Sequence, residues 1–93
     1  MNAIMDLFSL NGKNAVVTGA NTGLGQGICV ALAAAGAHVF GVARRSCDET
    51  AAKIAAEGGQ FTEVRADLSD FSAIDSILEQ VHAHADRIDI LVN

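Results

Sequence analysis

Short apolar runs alternate along the chain with segments whose apolar residues recur every three or four positions. Asn14–Thr18 (NAVVT) is an apolar run that stops at a glycine-rich turn, which predicts a buried strand. In the following segment Leu24, Ile28, Leu32 and Ala35 share one helical stripe. Most of its other positions are Ala, Val or Cys, so a helix over 24–35 is expected to be buried on more than one side. Gly36 supplies its stop. His38–Ala43 (HVFGVA) predicts a second strand. Ser46 and Glu49 have capping-box spacing, each side chain set to bond the other's backbone N–H, and open a helix to Glu57 that Gly58-Gly59 ends. Phe61–Ala66 (FTEVRA) predicts a third strand, and its alternation of Thr62, Val64 and Ala66 with Glu63 and Arg65 suits a sheet edge. Phe71, Ile74, Ile77, Leu78 and Val81 mark one face of a third helix, and Ile88–Val92 (IDILV) predicts a fourth strand.

The predicted order is β-α-β-α-β-α-β. Strands separated by helices need right-handed crossovers and therefore a parallel sheet. The expected fold class is α/β, a Rossmann-type doubly wound parallel sheet, N-terminal half only. Its strand order should be 3-2-1-4, with a ligand crevice at the switch point between the first and fourth strands. A domain boundary falls in an exposed linker, not at the end of a central strand. Residues 1–93 are thus expected to be the N-terminal part of a single dinucleotide-binding domain, its catalytic C-terminal part absent. Alone, the fourth strand would be an exposed, aggregation-prone edge.

Composition narrows this picture. The 93 residues are 51% hydrophobic and 18% charged, which excludes a disordered chain. Mean hydropathy is +0.32. The net charge of −5 lacks the electrostatic footprint of a nucleic-acid binder. No apolar stretch approaches the ~18 residues of a membrane span. The first residues carry an early acid and no basic cluster, unlike a secretory signal. Cys29 and Cys47 form neither a disulfide framework nor a zinc spacing. A soluble cytoplasmic protein without a nucleic-acid or membrane partner is expected. His82 and His84 stand at i, i+2 near Asp86 and do not converge on a helix, so no metal site is assigned. Cys29 suits a small core residue. Cys47 follows two arginines that would lower a thiol pKa, but more simply occupies the start of a helix.

The candidate chemistry lies in Thr18-Gly19-Ala20-Asn21-Thr22-Gly23-Leu24-Gly25-Gln26-Gly27. Gly19 allows a sharp turn off the strand, Gly23 lets a phosphate approach the backbone, and Gly25 allows close helix–sheet packing. The free N–H groups and dipole at this helix start favour an anion, naturally a pyrophosphate. The run departs from G-x-G-x-x-G, because the sixth position from Gly23 is Ile28, and it has no Lys-Ser/Thr of a P-loop. A plain strand-to-helix turn is the bland alternative.

Thr18-Gly19-x-x-x-Gly23-x-Gly25 resembles the cofactor motif of the short-chain dehydrogenase/reductase family. Ala66-Asp67-Leu68 resembles the family's acidic adenine contact, and Ile90-Leu91-Val92-Asn93 the start of its Asn-Asn-Ala-Gly motif. Phe8-Ser9-Leu10-x-Gly12-Lys13 and Thr22–Gly27 are also similar to the 2-deoxy-D-gluconate 3-dehydrogenase / 2-dehydro-3-deoxy-D-gluconate 5-dehydrogenase subfamily. The resemblance implies an NAD(P)-dependent oxidoreductase that interconverts an alcohol and a ketone on a small sugar acid, in a homo-oligomer. It implies cofactor contacts at Gly19, Asn21, Thr22, Gly23, Leu24, Gly25, Asp67, Leu68 and Asn93. Asp67 has a competing role as a helix cap, shared with Ser69, Asp70 and Ser72. The alternatives are a 3-oxoacyl thioester or other carbonyl reductase of the same family, or a non-catalytic dinucleotide-binding half-domain.

An acid at the end of the second strand would bind the ribose hydroxyls of NAD, and a cation the 2′-phosphate of NADP. Ala43-Arg44-Arg45 places two guanidinium groups there, with no acid before Asp48. That leans to NADP, against the NAD use that the subfamily resemblance implies. The family's catalytic groups are a Ser, a relay Asn and a Tyr-x-x-x-Lys. The 93 residues contain no Tyr, so no catalytic residue is assigned and this segment alone is expected to transfer no hydride.

Overall fold

The computed structural model describes residues 7–93. The reading of the first residues as lacking a secretory signal lies largely outside that range. The elements are β1 (Asn14–Thr18), α1 (Gly23–Ala34), β2 (His38–Ala43), α2 (Asp48–Ala56), β3 (Gln60–Arg65), α3 (Ala73–His82) and β4 (Ile90–Val92). The four strands form one parallel sheet in the order β3-β2-β1-β4. This is the doubly wound, Rossmann-type α/β arrangement that the alternation of strands and helices predicts.

Alternation along the strands splits the core into two layers. Ala15, Val17 and Val39 pack on one face with Cys29 and Ala33 of α1 and Ile54 of α2. Val16, Phe40, Val42 and Val64 pack on the other with Val81 of α3. Strands covered on both faces become near-continuous apolar runs, which is why β1 and β2 read so plainly. Each fully buried Val or Ile contributes about 1.5–3 kcal/mol. At the amino ends of the strands, the N–H of Leu10 donates to the Ala35 carbonyl at 2.8 Å and that of Asn14 to the Asp89 carboxylate at 2.8 Å.

Four local expectations change. The buried positions of α1 are Gln26, Cys29 and Ala33, and Leu24 is exposed. The sheet lies against a stripe rotated from the Leu24–Ile28–Leu32–Ala35 line, because Gly25 brings the helix start close to the backbone. The Ser46–Glu49 capping box does not form. The N-cap is Cys47, whose N–H donates to the Glu63 carboxylate, and this puts Glu49 one position too early in the helix. Ser46 Oγ instead accepts the Asp48 N–H at 3.1 Å, and Glu49 pairs with Lys53. Phe71 is not on the apolar face of α3. It precedes the helix, in a turn that leaves it 91% exposed. Finally, β4 begins at Ile90 instead of Ile88, after Asp89 has been drawn into its bond with Asn14 and its ion pair with Arg87.

Candidate functional site

A cavity of about 530 Å³ opens beyond the carboxyl ends of the strands. Three stretches of chain line it: the turn after β1, the turn after β2 and the turn after β3. A parallel sheet produces this convergence because every strand releases its chain on the same side.

The first stretch contributes Gly19, Asn21 and Thr22. Gly19 has φ +66°, a left-handed conformation that other residues adopt only at a cost, and it turns the chain off β1. Gly25 has a packing role: a Cβ there would lie 2.0 Å from the Gly19 carbonyl oxygen. Thr22 caps α1 without a side-chain hydrogen bond, and the first turn of α1 carries no acid. Among the described residues, the N–H groups of Asn21, Thr22, Gly23 and Leu24 have no hydrogen-bond acceptor. They form a positive backbone cluster suited to an anion.

A buried polar network supports this turn from behind. Thr50 Oγ1 donates to the Ala20 carbonyl at 2.7 Å. Gln26 Nε2 donates to Thr50 Oγ1 at 3.0 Å and to the Asn21 carbonyl at 3.3 Å. Lys53 Nζ donates to Gln26 Oε1 at 2.8 Å. Sequence reasoning missed all three residues. The available signal was a glutamine in the first turn of an otherwise apolar helix.

The second stretch contributes Val42, Ala43, Arg44 and Arg45. Both arginines are exposed where β2 ends. Glu63 of β3 braces the loop that carries them, accepting from the Cys47 N–H and pairing with Arg65 at 3.2 Å. Burial, then the nearby Glu63 charge, pushes the Cys47 thiol up despite the opposing pull of Arg65. Cys47 thus occupies the start of α2, as its place in the sequence predicts, and its thiol is not lowered by the arginines before it. Burial also raises Cys29, to about 11.

The third stretch contributes Ala66, Asp67, Leu68 and Ser69. Asp67 Oδ1 accepts from the Ser69 hydroxyl at 2.7 Å and its N–H at 3.0 Å. These two bonds, with a smaller contribution from Arg44, hold the Asp67 carboxyl below its usual range. Asp67 therefore closes a local turn instead of capping α3, and its carboxylate stays charged beside the cavity. Asp70 repeats the geometry with Ser72.

The cavity thus gathers Gly19, Asn21, Thr22, Arg44, Arg45, Asp67 and Leu68. Gly23, Leu24 and Gly25 stand beside it at the helix start without lining it. Asn93 lies past β4, where Thr18 Oγ1 donates to its Oδ1 at 3.1 Å. Among the described residues no cluster of His, Cys, Asp and Glu has metal-holding geometry. His84 turns toward the Phe40 ring, 6.5 Å between centroids, and His82 Nδ1 sits 3.3 Å from the Ala85 carbonyl. Nor is any helix among them long and apolar enough to cross a membrane.

Residues 13–93 match the short chain dehydrogenase family, from the residue before β1 to the last residue. The chain belongs to that family. The 2-dehydro-3-deoxy-D-gluconate 5-dehydrogenase of Dickeya dadantii (strain 3937) is 43% identical over 90 residues, covering 97% of this chain and 36% of the relative. The fatty acyl-CoA reductase of Acinetobacter baylyi is 42% identical over 87 residues, covering 91% of this chain and 30% of the relative. Among solved structures, a candidate 2-deoxy-D-gluconate 3-dehydrogenase of Agrobacterium tumefaciens with bound NADP superposes with a TM-score of 0.76 at 48% identity. That match covers 90% of this chain and 32% of the other. The short-chain dehydrogenase segment described here therefore spans about a third of the curated relatives it matches.

Proposed function

We propose that this segment is the cofactor-binding part of an NAD(P)-dependent dehydrogenase/reductase. The observation that carries the reading is the convergence, in one cavity, of free backbone N–H groups, two guanidinium groups and a charged carboxylate. The donor set fits the cofactor. The Asn21–Leu24 amides suit the diphosphate, Arg44 and Arg45 the ribose phosphate, and Asp67 an adenine amino group. Gly19, Gly23 and Gly25 shape the turn around it, Leu68 walls the adenine end and Asn93 approaches the adenosine side. The bound nicotinamide would exchange a hydride with substrate. The residues of this segment bind and orient, and none of them is a phenol that could move the accompanying proton.

A sugar acid is the proposed substrate class, by likeness to the gluconate-type relatives. The acyl-CoA reductase relative, nearly as similar, supports a thioester or other carbonyl reductase as the second reading. A non-catalytic half-domain keeps the cavity but predicts no turnover. The proposed whole protein is a cytoplasmic homo-oligomer that takes a small-molecule substrate.

NADP is the preferred cofactor in this proposal, since β2 ends in Arg44-Arg45 with no acid before Asp48. Among the described residues, the one acid lining the cavity, Asp67, comes from the turn after β3. Isothermal titration of the full-length protein with NAD⁺ and NADP⁺ tests both parts. Tighter binding of NADP⁺ is expected. Arg44→Ala with Arg45→Ala should weaken NADP⁺ by about tenfold or more and leave NAD⁺ nearly unchanged. A preference for NAD⁺ in the parent protein would refute the NADP assignment, and binding of neither would refute the function.

A further inference from the structure

We infer that Gln26 and Thr50 are positioning residues that hold the glycine-rich turn in its binding shape, equally for NAD and NADP. This deepens the dinucleotide reading above and rests on it. Both side chains are buried, Thr50 at 0% and Gln26 at 9% exposure. Buried polar groups are retained only when satisfied, and these two satisfy each other and the turn.

Thr50 has one hydroxyl proton, and it goes to the Ala20 carbonyl. Its lone pair accepts one Gln26 amide hydrogen, while the same Nε2 also reaches the Asn21 carbonyl. Gln26 Oε1 is held in turn by Lys53. Two consecutive carbonyls of the turn are therefore fixed by side chains from α1 and α2. All peptide bonds among the described residues are trans. A trans peptide points its N–H opposite to its C=O. Fixing the Ala20 and Asn21 carbonyls thus fixes the directions of the Asn21 and Thr22 N–H groups, two of the free donors at the cavity. The anchor Thr50 lies on the helix that follows Arg44 and Arg45. One network therefore ties the diphosphate end of the cavity to the ribose end.

Pre-set donors lower the ordering cost of binding. NAD and NADP share the diphosphate, so loss of this support should weaken both by the same factor. A residue serving core stability alone would change the melting temperature and leave the affinity of the folded protein intact.

The test is titration of the full-length protein with NAD⁺ and NADP⁺, comparing wild type with Thr50→Val, Thr50→Ser and Gln26→Met, each below its own melting temperature. Thr50→Val is isosteric and removes the hydroxyl. It should weaken both cofactors about five- to tenfold without changing their ratio, and Thr50→Ser should restore binding to within about twofold of wild type. Gln26→Met, which keeps the Thr50–Ala20 bond, should produce a smaller loss in the same uniform manner, and decides the matter if Thr50→Val does not fold. A folded variant of either kind that holds both constants at the wild-type value overturns the inference, as does weakening confined to one cofactor. Wild-type protein that binds neither dinucleotide overturns the functional reading itself.

Discussion

At position 25 a single methyl group separates a good fit from a clash. A Cβ there would sit 2.0 Å from the Gly19 carbonyl oxygen and 2.7 Å from its carbon, both backbone atoms that cannot swing aside. Gly25→Ala is expected to destabilise the fold by roughly 1–3 kcal/mol, as overpacking does, read as a lowered urea midpoint. Gly27→Ala is the control, because a Cβ there meets nothing within 4 Å. The close packing assigned to Gly25 was legible in the sequence from its place between strand and helix. The support given by Thr50 was not. A threonine in an amphipathic helix carries no mark of its partner, and the carbonyl it bonds is 30 residues away.

Among the elements, β1 and β2 have the bounds that their apolar runs predict. A strand buried on both faces has no polar position in its interior to interrupt the run. The helices were less legible, because tertiary contacts set their starts. Cys47 becomes the cap of α2 when Glu63 of another strand takes its N–H, a bond no local spacing announces. The two Asp-x-Ser turns over residues 67–72 delay α3 and strand Phe71 outside it. What covers α3 also differs along its length. Val81 is fully buried, whereas Ile74 is 53% exposed and Leu78 40%. Ile54 of α2 is 1% exposed, so Ile54→Ala should cost about 2–5 kcal/mol. Ile74→Ala should stay within about 0.5 kcal/mol in the same segment. Denaturant unfolding of the two variants side by side checks the contrast. Of the candidate site, the glycine-rich turn, the arginine pair and Asp67 were readable as motifs. Their meeting in one cavity follows from the β3-β2-β1-β4 order that the alternation of elements predicts. The turns after β1, β2 and β3 line it and no residue of β4 does, unlike the crevice expected between the first and fourth strands.

For the whole molecule, acid is a sensitive variable. His38 begins β2, stacks on Phe40 with ring centroids 4.2 Å apart, and shares a 2.8 Å hydrogen bond with Thr62 of β3. Burial, then the neighbouring His84 charge, lowers its imidazole pKa below the ordinary 6.5. Between the lowered value and 6.5 the unfolded chain binds more protons than the native state, so stability rises with pH. The contribution is complete above about 6.5 and is lost as pH falls through the folded-state value. Urea midpoints should therefore fall between pH 7.5 and pH 5.5, with a shallower slope in His38→Gln. Equal slopes in the two proteins would remove His38 as the cause.

The two cysteines have a practical consequence. Cys29 is 0% and Cys47 1% exposed, and burial raises both thiols. At neutral pH neither offers a reagent an accessible thiolate. A third cysteine placed at exposed Ala83, at the end of the sheet away from the cavity, would be the site a maleimide dye finds in this segment. The native pair can stay in place, and a fluorophore installed there would report on the molecule without obstructing the crevice.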